Sequence, residues 1–360
     1  VTGAFMKCFG KEIGGCAPCW IEDRRDALRV AAKLGIKLLT FDFEKEYQRR
    51  VLGYFYRQYQ AGRTPNPDVI CNKYIKIPLL LKEAKKMGFD YVATGHYARI
   101  KNGEKVWRTL GGQPRMADWK NKLGYKLCQA LDKNKDQTYF LHQLKERQLQ
   151  DILFPLGTVY KNEVRLLARQ WGLPVAGKEE SMGICFVGEV PMKEFLKNKI
   201  KTKPGDIVMS AGASGNKPVK VGRHEGLAFY TIGERIGEEL VQRGNFFKKG
   251  ETKPFYAVKK DTKNNLLVAG FENDPLLYKK KITIGAYGNT PVYWIGQKPV
   301  FPLKCEVRLR HRQPLQQARL ERRGQKITMK FLEPQRAPTP GQFAVFYKDG
   351  ECLGGGVIGN

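Results

Sequence analysis

The sequence predicts an α/β domain built on a parallel sheet, followed by a β-rich half of small barrels. Three observations predict it. Strand and helix signals alternate through roughly the first 190 residues, and strands alternating with helices form parallel sheets. From about residue 200 the chain changes to short alternating segments separated by turns. Residue types suited to ligand binding fall just beyond a predicted strand, where open α/β sheets take their ligands.

In chain order, 22–34 carries Ala27, Ala31 and Leu34 at helical spacing and stops at Gly35. Residues 36–41 form a short apolar, strand-like run. Tyr47, Val51, Leu52, Phe55 and Tyr59 return to helical spacing. A helix over 79–87, with Pro78 near its first turn, ends at Gly88. Residues 91–94 read as a buried strand leading into Gly95-His96, and 101–130 as a surface excursion. Helical signals return over 137–149 and 163–171. The later half gives strand candidates at 228–232, 255–258, 266–269, 282–286, 304–309, 326–331 and 343–347. Asn264-Asn265 and Asp349-Gly350 supply turns between them.

Lys and Arg number 64 against 35 Asp and Glu, a net charge of +29. Such an excess suits a polyanion, because each neutralised phosphate releases counterions. Composition alone leaves a plain solvated basic surface equally open. Basic clusters at 197–203, 279–281 and 308–312 suggest a long footprint. No run approaches the ~18 apolar residues of a membrane span, and no signal peptide is evident. Eight cysteines scattered without a secretory signal point to a reducing, cytoplasmic setting.

Four motifs carry chemistry. Residues 62–72, GRTPNPDVICN, place Asp68 and Cys71 three residues apart in a segment stiffened by two prolines. Residues 181–188 put Cys185 between glycines. Residues 93–99, ATGHYAR, expose Gly95 and His96 at a strand end. Residues 134–141 run from charged Lys135-Asp136-Gln137 into an apolar helix start. Each alone also fits a structural role: a Pro-rich turn, a buried thiol, a core histidine, a capped helix. Cys16 and Cys19 form a C-x-x-C pair, but structural zinc needs two more ligands, and although Cys8 is near in sequence no fourth Cys or His is.

Taken with 16–20, CAPCW, and the tail TPGQ…CLGGG over 339–356, these motifs resemble the bacterial and organellar tRNA-specific 2-thiouridylases of the MnmA type, which are PP-loop (adenine nucleotide alpha hydrolase-like) sulfurtransferases. The resemblance runs in order along essentially the whole chain. It implies a PP-loop domain over 1–190, a small central β-rich domain over 191–272 and a C-terminal β-barrel over 273–360. It implies ATP, with Mg, as co-substrate, no structural metal, tRNA as substrate, and a sulfur-relay protein as persulfide donor. By motif match Cys185 carries the persulfide, Cys71 is the second catalytic thiol and Asp68 the general acid/base. The two thiols would then lie within loop-motion reach, on the order of 15 Å, since a disulfide needs Cα atoms ~4.4–6.8 Å apart. Met6 and Gly95 match nucleotide-binding positions. Asn66, Pro67 and Asp68 match the segment on the target base. His96, Lys135, Asp136, Gln137, Arg310, His311 and Gln342 match tRNA contacts.

The sequence departs from the family at three points. The SGGxDS phosphate loop is not found, and Val1 corresponds to the start of the strand after it. Met182 stands where the family usually has Thr, and 107–128 is longer than usual. On the first departure the alternative is a tRNA-binding fragment that cannot adenylate. A ligase of the argininosuccinate synthase type is a third reading, disfavoured by the two cysteines and the β-rich half. The charge excess predicts that tRNA affinity falls steeply and log-linearly with salt, with a slope reflecting several phosphate contacts. Filter binding across a salt series checks this, and a flat response counts against a nucleic-acid partner.

Overall fold

The computed structural model describes residues 1–10, 20–102, 105–106, 124–179, 191–210, 219–237, 240, 253–285, 291–324 and 326–359. Strand β1 (Gly3–Lys7) is followed by helix α1 (Trp20–Leu34) and β2 (Leu38–Asp42). β1 and β2 pair in parallel, with Gly3 opposite Leu38 and Lys7 opposite Asp42. Glu22 and Asp23 in the first turn of α1 and Lys33 in its last complement the helix dipole. Gly35, at φ +64°, ends the helix.

The chain then forms α2 (Glu44–Tyr47), a π-turn over Gln48–Leu52 and α3 (Gly53–Gln60) as one helical run. Tyr47, Val51, Phe55 and Tyr59 recur every fourth residue and are all buried. At 3.6 residues per turn, a strict four-residue repeat drifts about 40° per step. The wider π-turn takes up that drift and keeps the four side chains on one buried face. A second such run joins α4 (Pro67–Cys71), a π-turn over Asn72–Lys76 and α5 (Ile77–Lys86). Next come β3 (Val92–Ala93), β4 (Ala98–Asn102), β5 (Lys105–Val106), β6 (Tyr125–Gln129), α6 (Thr138–Leu141), α7 (Glu146–Leu149), β7 (Ile152–Leu153), α8 (Lys161–Gln170) and α9 (Met192–Lys197).

The parallel-sheet expectation holds, with a difference in detail. Among the described residues of the first domain the parallel strands form two ladders, β1–β2 and β3–β7, rather than one continuous sheet. The cover is also thin: α1 buries only Ala31, and α8 buries no residue. The expected excursion over 101–130 ends inside the fold. β6 pairs antiparallel with β4, and its Tyr125, Leu127 and Cys128 are buried. Alternating Tyr-Lys-Leu-Cys-Gln was the strand signal that the flanking glycines obscured. The helix expected over 137–149 is two short helices, α6 and α7, because His142, Gln143 and Leu144 turn inward between them.

The central domain is a four-stranded sheet ordered β10 (Tyr256–Asp261), β11 (Leu266–Gly270), β8 (Gly205–Met209), β9 (Lys220–His224), with β11 and β8 parallel. The strand expected at 228–232 is instead a 3₁₀ turn, Leu227–Phe229, whose Leu227 and Phe229 plug the core. The last domain carries β12 (Tyr278–Ile284), β13 (Tyr293–Trp294), β14 (Leu303–Arg308), β15 (Gln316–Arg323), β16 (Lys326–Arg336), β17 (Phe343–Lys348) and β18 (Glu351–Val357). The order β12-β16-β15-β14-β17-β18 closes into a barrel where Ile284 bridges Ile358 and Gly285 N donates to Val357 O. Asp349 and Gly350, both at positive φ, make the two-residue hairpin between β17 and β18.

The glycine run in β18 is a packing requirement. A Cβ at Gly354 would lie 2.0 Å from Tyr293 O, at Gly355 2.6 Å from Ala344 O, and at Gly356 2.6 Å from Ile284 Cγ2. β18 also joins β6 through Glu351 and Cys128, so the barrel continues into the first domain as one ten-stranded sheet.

That junction is centred on Asp136. Its carboxylate is 1% exposed and accepts hydrogen bonds from Arg308 at 2.9 Å, Ala130 N at 3.1 Å, Gln129 Nε2 at 3.3 Å and Thr138 Oγ1 at 2.9 Å. Arg308, also buried, comes from β14 of the barrel and lies over the Tyr347 ring. Removing one partner of a buried ion pair strands the other charge, typically costing about 3–5 kcal/mol. Asp136→Ala is therefore expected to lower the unfolding free energy by about that amount in urea denaturation. A loss below about 1 kcal/mol, the scale of a surface pair, would show the pair is not what docks the barrel.

Candidate active site

The motif at 62–72 leaves its loop earlier than the two prolines suggest. Asn66 is extended (φ −114°, ψ 102°) and its side chain accepts from Val69 N at 3.2 Å, which makes it the N-cap of α4. Pro67 takes the first helical position, where its missing N–H costs nothing. Asp68 and Cys71 thus sit on a helix, not on a loop. Three residues apart, they share one face. Asp68 is half-buried, whereas the Cys71 thiol is 1% exposed and reduced.

α4 packs against α6, and α6 ties in the other motifs. Gln137 N donates to Tyr97 O, and Tyr97 N donates back to Gln137 Oε1, both at 2.9 Å. The two segments 94–97 and 135–138 are therefore locked together. Gly95 follows β3 and is exposed; among the described residues a Cβ there would meet only Leu156 Cδ1, at 3.9 Å, which leaves room for a ligand to approach this backbone. Met6 lies in β1 opposite Phe41, half-buried against the main core. On the far side of α6, the His311 ring lies 4.4 Å from that of Phe140, and Tyr139 Oη donates to Phe343 O. The structure thus brings Asn66, Pro67, Asp68, Cys71, Gln137, His311 and Gln342 together around α4 and α6. Cys185, Cys16 and Cys19 lie outside the described residues.

Three of the expected tRNA contacts are turned inward. Asp136 is consumed by the buried pair and cannot reach a ligand. His96 is 8% exposed and bonds Thr94 Oγ1 at 2.9 Å; burial lowers its pKa to about 3, so it is neutral. Gln342 directs Nε2 at Thr64 O and Pro65 O, 3.2 Å each. His311 is half-buried, and desolvation together with Arg312 and Arg308 lowers it to about 4. It offers a neutral ring rather than a charge for phosphate. Lys135 is half-buried, and Arg310 is exposed while donating to Arg336 O at 2.9 Å.

Two residues gripping 62–65 from the central domain carry no local sequence signal. Lys260 Nζ donates to Gly62 O at 3.1 Å, and the Thr231 and Thr64 hydroxyls are 3.2 Å apart. Arg308, read from sequence as part of a basic footprint, is buried instead. Lys73, two residues past Cys71, places its ammonium 3.6 Å from the Tyr293 ring centre, and burial, aided by Lys145, lowers its pKa to about 8.

Comparison with known proteins matches this architecture. Residues 1–189 match the family described as the tRNA methyl transferase HUP domain, 193–270 its PRC-barrel domain, and 288–358 the aminomethyltransferase beta-barrel domain. The class is therefore a HUP-domain protein followed by two barrel modules. The chain is 41% identical to the tRNA-specific 2-thiouridylase MnmA of Streptococcus equi subsp. zooepidemicus over 99% of its length and 88% of that protein. It is 41% identical to the namesake of Alkaliphilus oremlandii and 39% to that of Alcanivorax borkumensis, each over 99% of this chain and 90% of the relative. The chain belongs to the MnmA-type tRNA 2-thiouridylase family. No helix of the described residues is long and apolar enough to cross a membrane.

Lys260 gives this site a pH signature. Burial lowers its amine from 10.5 to about 8, opposed by nearby Glu234. Between those values the unfolded chain holds the proton and the folded chain does not, so the fold gains stability as pH rises through that window. Unfolding titrations from pH 7.5 to 10.5 are expected to show a smaller rise in Lys260→Met than in the parent. Parallel curves would mean that the amine is solvated.

Proposed function

We propose that the protein transfers sulfur to C2 of the wobble uridine of tRNA, driven by ATP. The observation that carries this reading is the convergence of the α4 turn, segments 94–97 and 135–138, His311 and Gln342 on one neighbourhood, in a chain of this family with a net charge of +29. A base in an anticodon loop can be splayed into such a pocket, which suits recognition of single-stranded RNA.

The C2 oxygen is a poor leaving group until it is esterified. It attacks the α-phosphorus of ATP, an O–P bond forms and pyrophosphate departs. Met6 and the open backbone at Gly95 lie at or near the C-terminal ends of parallel strands, where an α/β domain holds such a ligand. Sulfur, as a persulfide on Cys185, comes from a relay protein. The Cys71 thiolate attacks the Cys185 sulfur and forms a Cys71–Cys185 disulfide. The two thiols are oxidised, and the terminal sulfur is released, reduced, as hydrosulfide. Hydrosulfide adds at C2, the C–O bond breaks and AMP leaves. A thiol reductant then restores both cysteines. Asp68, one turn before Cys71 and half-exposed, accepts or returns the proton. Burial of Cys71 protects a thiol that has to survive between turnovers.

The division at 1–190, 191–272 and 273–360 is supported by the three family matches and by the separate central sheet. The alternative of a tRNA-binding fragment without catalysis has less support, because relatives at 39 to 41% identity are matched over 88 to 90% of their own length. Nucleoside analysis of tRNA tests the mechanism. Cys71→Ser and Cys185→Ser are each expected to abolish 2-thiouridine while leaving tRNA binding within a few fold. Asp68→Asn is expected to cost about 10²–10⁴-fold in kcat. Thiolation persisting in Cys71→Ser would remove that residue from the chemistry.

A further inference from the structure

Residues 62–65 belong to the first domain, yet the other two domains hold them. From the barrel, Pro340 O accepts from Thr64 N at 2.9 Å, and Gln342 Nε2 reaches Thr64 O and Pro65 O. Gly341, at φ +95°, allows this approach: a Cβ there would lie 2.9 Å from Arg63 Cβ and 3.0 Å from Thr64 N. Gln342 is itself fixed, since its backbone carbonyl accepts from Ile358 N at 2.8 Å where the barrel closes. From the central domain come Lys260 Nζ to Gly62 O and the Thr231–Thr64 hydroxyl contact. Within the first domain Gly62 N donates to Tyr59 O at 2.8 Å, and Arg63 reaches Gln58 through its side chain at 2.7 Å and through a backbone bond at 2.9 Å. One residue past Pro65 the chain caps α4, so any displacement of 62–65 moves Asp68 and Cys71 with it.

We infer that Gln342 and Lys260 are positioning residues, one from each β domain, that set the aim of the Asp68–Cys71 turn through the backbone of 62–65. The inference rests on the proposed sulfur transfer for its catalytic meaning. It assigns Gln342 a different task from contacting tRNA: its amide hydrogens point at two loop carbonyls. It also makes the site a three-domain assembly, so that tRNA seated on the β domains and the thiol in the α/β domain share one mechanical reference. The chemistry needs that reference, because a misplacement of ~1 Å at a reacting group costs about 10²-fold in rate.

Gln342→Glu keeps the length and shape of the side chain but presents oxygen to the two carbonyls; Lys260→Met keeps the bulk and removes the donor. For each variant we would measure single-turnover thiolation at saturating tRNA, tRNA affinity, the urea midpoint, and backbone hydrogen exchange of peptides covering 62–72. The expected result is a fall in kcat of about 10²-fold, tRNA affinity within threefold, a urea midpoint no lower than about the parent's, and faster exchange confined to 62–72. Weaker tRNA binding with kcat preserved at saturation would make Gln342 an RNA contact and overturn the inference. Unchanged exchange at 62–72 would overturn it whatever the activity, and so would loosened exchange with unchanged kcat. If the parent protein makes no 2-thiouridine but the variants still loosen 62–72, the proposed function has failed and the clamp has not.

Discussion

Asp136 is a negative charge with no route to water, and much of the architecture answers to it. Buried in a chain with a large positive excess, the carboxylate draws donors from β6, from the start of α6 and, through Arg308, from β14 of the barrel. A carboxylate in a low-dielectric interior is tolerated only when its lone pairs are filled. Filling them forces β14, 172 positions away along the chain, to meet β6 and α6 at fixed angles. Once they meet, α6 presents Tyr139 to the barrel and its opposite side to α4, and β6 lines up with β18. The specificity of the domain junction therefore comes from a polar requirement inside an apolar surround.

The electrostatics of the site follow from the same packing. The histidines nearest the site, His96 and His311, are neutral because burial and basic neighbours disfavour their charge. Positive charge available to RNA sits farther out, on exposed side chains such as Arg310 and the lysines of β12. Attraction to a polyanion and chemistry on one base are thereby separated in space. The outer surface offers charge that suits a phosphate backbone, while the interior offers rings, amides and a shielded thiol.

Much of this was legible in the sequence, for physical reasons that differ by region. Helical runs announced themselves through a four-residue repeat of large apolar residues, and the β half through alternation and the Asp349-Gly350 turn. Asn66-Pro67-Asp68 states a helix start outright, although its neighbouring prolines read first as a loop. What stayed hidden was long-range. Nothing in Asp136 or Arg308 says that they pair across the chain, because a buried ion pair has no local periodicity. Lys260 looks like an ordinary surface residue, and Gln342 like a tRNA contact, until the fold sets both against carbonyls of the 62–65 backbone. The glycines of β18 were read as part of a family signature; the structure gives them a mechanical reason, since two backbone carbonyls and a side chain leave no room for a Cβ.

The closure of the barrel at Ile284 and Ile358 has a consequence for biosynthesis. The bond from Gln342 to Thr64 spans 278 positions, so the loop emerges from the ribosome long before its clamp exists. At roughly 5–20 residues per second, the nascent α/β domain waits on the order of tens of seconds with its thiol-bearing helix packed on α6 but without the contacts from the β domains. During that interval Cys71 is protected only by the first domain's own packing. On the inferred clamp, the site is complete only after β18 closes the barrel, and a translating polysome would carry mostly chains still short of that state.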